Sequence, residues 1–442
     1  MDSNPGNLDF TVWLKNASRT LPFKFIVCAI LTLVLLIPSL MLNSLVDERM
    51  SRRNAAIAEM NAKWGPPQCV AGPLLVVQRK ALANERNVSR PPALKILPDS
   101  FEGSVDLQPE KRSRGLFETV IYTAKISLKG HFSPPDLTRL GLPPGDLEPE
   151  SAAAVLGVSD IGGIVEKVSF KANGVELPVS PGVGAAGFTS AGFSVKLSPE
   201  LLAKGFDFSL EMALNGSGEL TLVPVGRNSE LNFKSTWADP SFTGSKLPNS
   251  KKVGPDGFSA AWRIGELSSG IPLDWCLTND NATLQRAACG AKLIITADMY
   301  QQTARSVKYA ALFIVLTFVA LIFAESICKV NVHPLQYALI GLALVVFYTL
   351  LLSLGEKLGF GRAYLISAAA VALQIALYAW AVFSKAKPAL AMAAVLAALY
   401  GFLYILLCLD DYALIFGSIG LFIALAVMMA LTKDANKEKK PA

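Results

Sequence analysis

Six stretches of the chain run for about 20 residues with almost no charge, the length and composition a helix needs to cross a bilayer whose core offers the backbone no partner. They cover residues 25–42, 309–327, 335–354, 363–383, 389–409 and 412–431. The first, FIVCAILTLVLLIPSLML, has 18 residues and exceeds the apolar core of a secretory leader. Asn43, Ser44 and Leu45 after it offer no small-residue cleavage pattern, so an uncleaved anchor is expected.

Between the first and second stretches the pattern changes. GPLLVVQRK, ETVIYTAKISLKGHF, VEKVSFKANGVEL, GFSVKLS, FDFSLEMAL, GELTLVPVG and SELNFKSTW are short β-favouring runs, often alternating, divided by Gly, Pro, Asn and Asp. Antiparallel strands are expected. VDERMSRRNAAIAEMNAKWG, at 46–65, is rich in helix formers and stops at Gly65 before Pro66 and Pro67, which predicts a stalk helix continuing from the first span. The predicted architecture is a membrane protein with six transmembrane α-helices, one N-terminal and five C-terminal. A large β-rich (α+β) domain, residues 43–308, lies between helices 1 and 2, with a segment 1–24 before the first helix and a basic tail 432–442 after the last.

Composition agrees with this division. The 442 residues are 52% hydrophobic and only 17% charged, against about a quarter charged in soluble domains. Of the 76 charged residues, 56 fall between positions 47 and 308, where the charge density is that of a soluble domain. Lys15, Arg19, Lys24, Lys329, Lys385, Lys387, Lys433, Lys437, Lys439 and Lys440 gather on one side of the predicted spans, against Lys357 and Arg362 in the short loops of the other. By the positive-inside rule both termini are then cytoplasmic and the large domain faces outward, into the periplasm of a bacterium. No basic face suited to nucleic acid is present.

Chemistry is sparse. The two histidines, His131 and His333, are expected on opposite sides of the membrane, and neither a metal-ligand spacing nor a phosphate-binding loop occurs. No G-x-S-x-G elbow accompanies His131, and NGSGEL around Ser217 reads as a turn. Neither metal, cofactor nor catalytic residue is expected. Cys276 and Cys289 enclose twelve residues on the oxidising side and are a candidate disulfide, with Cys69 left over. Among groups near the bilayer, Glu325 and Lys329 stand one turn apart and form a candidate interface ion pair. Gln336 and Gln374 are candidates for interhelical hydrogen bonds, Gln374 alone lying near the midplane. Aromatic residues at the span ends, Tyr337 among them, are expected to sit at the interface.

The order of residues also resembles a known family. HPLQYALIGLALVVFYTLLLSLGEKLGFGRAYLI at 333–366, GFLYILLCLDDYALIFGSIGLFIALAVMMALTK at 401–433 and RSVKYAALFIVLTFVALIFAE at 305–325 look like the membrane signature of the CreD family of inner-membrane, or cell envelope integrity, proteins. SDIGGI at 159–164, KSTWADPSFTGSKLP at 234–248, GFSAAWRI at 257–264, AGPLLVV at 71–77 and RGLFETVIYTAKISLKGHF at 114–132 carry the same resemblance through the domain. Family members tend to have Arg where Gly162 stands. The resemblance implies a Gram-negative inner-membrane protein tied to the CreBC two-component regulon, to stress response and to envelope integrity. It implies no known reaction.

The expected function is therefore non-enzymatic: support of the envelope through a periplasmic binding or scaffold domain. Trp237, Phe242 and Trp262 are candidate contacts to envelope lipid, peptidoglycan or an envelope protein, or else anchors of their own loop. The alternative is a transporter or lipid-handling protein that passes an apolar envelope component between helix bundle and domain.

Overall fold

A computed structural model describes residues 21–80, 93–138, 141–143, 145–184, 191–271, 281–295, 299–328, 330, 332–384, 386–408 and 413–432. The chain divides into a helical unit, Met1–Arg52 with Ala297–Ala442, and a β unit, Arg53–Thr296. The helices in chain order are α1 Leu21–Trp64, α2 Pro199–Lys204, α3 Asn281–Ala287, α4 Met299–Lys308, α5 Ala310–Cys328, α6 Pro334–Leu358, α7 Phe360–Phe383, α8 Ala386–Cys408 and α9 Ala413–Thr432. Among the described residues α1, α6, α7 and α8 are long and apolar enough to cross a membrane. The pair α4 and α5, bent by 48°, makes a fifth crossing if taken as one span. The 20-residue α9 carries no charged residue.

In the helical unit the first helix is held by one narrow stripe. Cys28, Thr32, Leu35, Ser39, Leu42 and Val46 are buried, a spacing of four and three that repeats every 3.5 residues and keeps one seam against its neighbours. The remaining faces carry exposed Ile30, Leu33, Val34, Ile37 and Leu40, as a helix bathed in lipid requires. The hydroxyls of Thr32 and Ser39 donate to the carbonyls of Cys28 and Leu35, at 2.7 and 3.0 Å, so the stripe brings no unpaired polar group into the seam. Leu35 fits a niche on α6 that exists because Gly341 has no side chain: a Cβ there would lie 2.3 Å from Leu35 Cδ1.

The β unit contains β1 Gln68–Val77, β2 Leu94–Ile96, β3 Ser100–Arg114, β4 Phe117–Phe132, β5 Ala153–Val158, β6 Ser169–Ala172, β7 Val175–Leu177, β8 Val179–Pro181, β9 Ala191–Lys196, β10 Phe206–Ser217, β11 Glu219–Leu222, β12 Asn228–Ser235, β13 Pro240–Gly244, β14 Ser250–Gly254, β15 Gly257–Gly265 and β16 Cys289–Leu293. One sheet runs β13-β16-β11-β1-β5-β9-β8 with β2 also paired to β1; the other runs β14-β15-β12-β3-β4-β10-β6-β7. Both feed one hydrophobic cluster, so the unit is a sandwich. Most pairs are antiparallel, as the strand pattern predicts, but β1 with β11 and β3 with β12 are parallel.

The chain passes from one sheet to the other between β10 and β11, at Gly218, whose φ of +67° suits a residue without a Cβ. Tyr122 pins this crossing. It is fully buried, its hydroxyl donates to Glu219 O at 2.7 Å, and its own carbonyl accepts from Trp64 Nε1 at 3.2 Å. Burial pushes its phenol far above the usual value, so it remains a donor at any physiological pH. Gln68 ties the same corner to the loop at 160, donating to the carbonyls of Asp160 and Asn215 and accepting from Asp160 N. The end of α1 packs here too, with Asn61 bonded to Thr119 and Glu59 paired to Arg114 at 2.8 Å. Hydrogen bonds from Lys63 and Arg114 hold the Glu59 carboxyl below the ordinary range.

Tyr122→Phe removes the partner of the Glu219 carbonyl without changing the packed volume. Unfolding of the full chain in detergent, followed by tryptophan fluorescence in denaturant, is expected to show a loss of about 1–2 kcal/mol.

Candidate functional site

Among the described residues of the helical unit one carboxylate is buried. Glu325 comes near the end of α5 and is 2% exposed, an environment in which a charge persists only if protein groups replace its hydration. Three do so. Lys24 Nζ of α1 lies 2.6 Å from Oε1, the Val332 amide donates to the same oxygen at 2.6 Å, and the Tyr337 hydroxyl donates to Oε2 at 2.7 Å. The turn that delivers Val332 is fixed by the start of α6, where His333 accepts from Leu335 N and Gln336 bonds back to His333 N, ahead of Pro334. His333 and Gln336 thus form a helix cap; Gln336 reaches no neighbouring helix through that bond.

The pairing of Glu325 with Lys329 falls on Lys329, which lies outside the described residues. Lys24, 301 residues earlier, is the cation in contact. Sequence reasoning placed Lys24 with the flanking positive charges and Tyr337 with the interface aromatics. The signal that links them is a deficit: a lone carboxylate inside an apolar run needs a cation from elsewhere. Chemically the cluster is a latch, since every lone pair used by the carboxylate is directed to a fixed donor.

Deeper in the bundle, Phe313, Phe347, Tyr348, Tyr364 and Tyr400 form an aromatic layer. Phe347 lies 5.4 Å from Tyr364 and 4.8 Å from Tyr400, and Phe313 4.6 Å from Tyr400. The Tyr364 hydroxyl donates to Tyr400 O at 2.7 Å. The hydroxyls of Tyr348 and Tyr400 are buried with no protein partner among the described residues.

In the β unit the three aromatic candidates separate. Trp262 is wholly buried on β15, edge-on to Phe233 at 5.3 Å, with Nε1 donating to Lys246 O. A ring so placed packs the core and reaches no ligand at the surface. Phe242 is half-buried, edge-on to Phe258 and Trp262. Trp237 is also half-buried, its Nε1 donating to Ile294 O and Lys111 Nζ lying 5.4 Å over its ring. Both anchor the loop and stay partly exposed.

A cleft of about 580 Å³ opens instead where the sheets end on their edge strands β7 and β8. Its apolar wall is Ile161, Ile164, Val168, Val179 and Phe193, and the Lys167–Glu176 pair, at 2.9 Å, stands among its lining residues. Ile161 belongs to the SDIGGI loop, held rigid by Gln68 and by Asp160 Oδ1 accepting from Gly162 N. A Cβ on Gly163 would lie 2.5 Å from Asn215 O, so that glycine lets the loop pack onto β10.

His131 pairs with Asp207 at 2.7 Å directly across β4 and β10, on an exposed face, an ordinary cross-strand contact. Ser217 is buried at the crossing between sheets. Cys289 is buried, with Sγ 3.5 Å from Ser245 Oγ; Cys276, and with it the 276–289 pairing, lies outside the described residues. Burial pushes the Cys69 thiol above its usual value. Among the described residues no three His, Cys, Asp or Glu side chains are grouped to hold a metal.

Helices apolar on their outer faces, joined to a β sandwich, define the class: an integral membrane protein with a large β-rich domain. A family model described as "Inner membrane protein CreD" matches residues 20–437. "Inner membrane protein CreD" of Escherichia coli (strain K12) is 32% identical over 413 residues, 91% of either chain. The chain belongs to the CreD family, and a multi-pass inner-membrane location follows. Among solved structures, an M1 zinc metallopeptidase from Deinococcus radiodurans aligns over 38% of each chain at 7% identity and a TM-score of 0.18. A point mutant of an M1 zinc metallopeptidase from the same organism, bound to a Tyr-Ser-Ala substrate, aligns over 76% of this chain and 93% of its own at 8% identity, with the same TM-score of 0.18. Neither likeness carries information about this fold.

Two substitutions test the bundle. Lys24→Met strands a buried carboxylate and is expected to lower stability by about 3 kcal/mol, with partial recovery in the Lys24→Met/Glu325→Gln double variant, read as thermal unfolding in lipid nanodiscs. Tyr364→Phe, which loses its bond to Tyr400 O, is expected to depress the unfolding temperature more than Tyr348→Phe.

Proposed function

We propose that this chain is a six-span inner-membrane protein whose β domain faces the periplasm and supports envelope integrity by binding or scaffolding, without catalysing a reaction. The observation that carries the binding reading is the cleft between the edge strands. It joins a preformed apolar wall to a few charged groups, the make-up of a site that recognises an amphipathic partner. The rigid hold on Ile161 supports it, since a fixed wall binds at lower entropic cost. Trp237 and Phe242, partly exposed before and on β13, stand at the opposite edge of the first sheet and form a surface separate from the cleft. The orientation rests on the bias of Lys and Arg toward the side of the termini.

A second reading, a lipid-handling protein, is favoured by one feature of the bundle. Leu316, Phe323, Val395, Leu399, Phe402 and Ile419 are among the residues of α5, α8 and α9 that line an apolar groove of about 650 Å³, a volume in the range of small-molecule sites.

Photo-crosslinking in living cells from Val165, beside the cleft, and from Trp237, with captured species identified by mass spectrometry, tests both. One recurrent envelope protein or peptidoglycan fragment is the expected product. Capture of lipid alone would favour the second reading, and a topology reporter fused near residue 150 that is active in the cytosol would overturn the placement of the domain.

A further inference from the structure

Helix α7 turns one amide to the outside of the bundle. Gln374 lies about 4 Å along the axis from the middle of Phe360–Phe383, at 1.5 Å per residue, and its side chain is exposed. Every other exposed position from Leu365 to Leu377 is Leu, Ile or Ala. No described residue bonds the Gln374 side chain. Around it, Leu339, Leu342 and Val346 of α6 and Leu377 and Tyr378 of α7 line an apolar groove of about 480 Å³.

Hydrocarbon supplies an amide with no donor or acceptor, while a hydrogen bond across two helices is an interaction that lipid tails cannot replace. A glutamine amide carries donor and acceptor together, so it is complementary to a copy of itself. All copies insert in the same sense. A two-fold axis along the membrane normal therefore sets α7 beside α7 and Gln374 opposite Gln374. Ala370, exposed one turn earlier on the same face, leaves room for the backbones to approach. Leu373, 62% exposed beside Gln374, forms a ridge that fits the groove between α6 and α7 of the second copy.

We propose that this face of α6 and α7 is a self-association surface, closed by a Gln374–Gln374 hydrogen bond between two copies of the chain. The inference needs the helices to lie in a bilayer and is independent of what the β domain binds.

The full-length chain, labelled with donor and acceptor dyes and reconstituted in phosphatidylethanolamine–phosphatidylglycerol vesicles, is expected to show energy transfer that saturates as a dimer with rising protein-to-lipid ratio. Gln374→Leu is expected to weaken association roughly three- to tenfold, the worth of an interhelical hydrogen bond, with an unchanged monomer unfolding temperature, whereas Gln374→Asn retains most of it. A photoreactive residue at Leu373 should yield a product of twice the chain mass in native membranes. Absence of transfer in the unmodified chain, equal association in Gln374→Leu, or capture only of lipid or of a different membrane protein at Leu373 would overturn the proposal.

Discussion

Hydrocarbon gives a polar group nothing to bond to, and the helical unit is organised by that constraint. Glu325, deeply buried, is met by an ammonium, a backbone amide and a phenol from three separate segments. Four smaller groups are settled locally: Thr32, Ser39, Thr303 and Thr317 each return their hydroxyl to a carbonyl one turn back on the same helix, whereas the buried hydroxyls of Ser306 and Ser367 find no partner among the described residues. The latch is thus the long-range solution and the hydroxyls the short-range one. Between them they allow α1 to present a narrow seam inward while the rest of its surface stays apolar.

The β unit works under the opposite rule, because water can satisfy its outer face. Along β3 and β15 buried and exposed positions alternate, and one core is shared by both sheets. The places where the chain passes between the sheets include Gly218 and Pro178, the latter between β7 and β8. The first link is closed by Tyr122 and Gln68. The second leaves a cleft. One corner of the sandwich is thus closed and another open.

Much of the helical architecture was legible because it needs no periodicity: a run such as FIVCAILTLVLLIPSLML betrays itself by composition alone. Trp262 stood among the candidate contacts, and the alternation around it is the signal that it packs the core. β3 was not, although Phe101, Gly103, Val105 and Leu107 alternate inward. Its second inward position is a glycine, required because a Cβ would lie 2.5 Å from Leu222 Cδ2, and its last six residues are dominated by charge. The parallel pairs also escaped local pattern, since they join strands far apart in sequence. Glu325 was visible as an isolated charge, but its cation was sought one turn away. The cleft drew no attention at all, because Ile161, Val179 and Phe193 meet only through the packing of two edges.

The distance between Lys24 and Glu325 has a consequence in time. Their 301-residue separation means that, at 5–20 residues per second, roughly 15–60 s pass between the emergence of one from the ribosome and the other. Throughout that interval the first helix is anchored by its hydrophobicity alone, its lysine hydrated at the membrane surface. The bond that fastens it forms only after the entire β domain has been made, so assembly of the bundle registers completion of the domain before it.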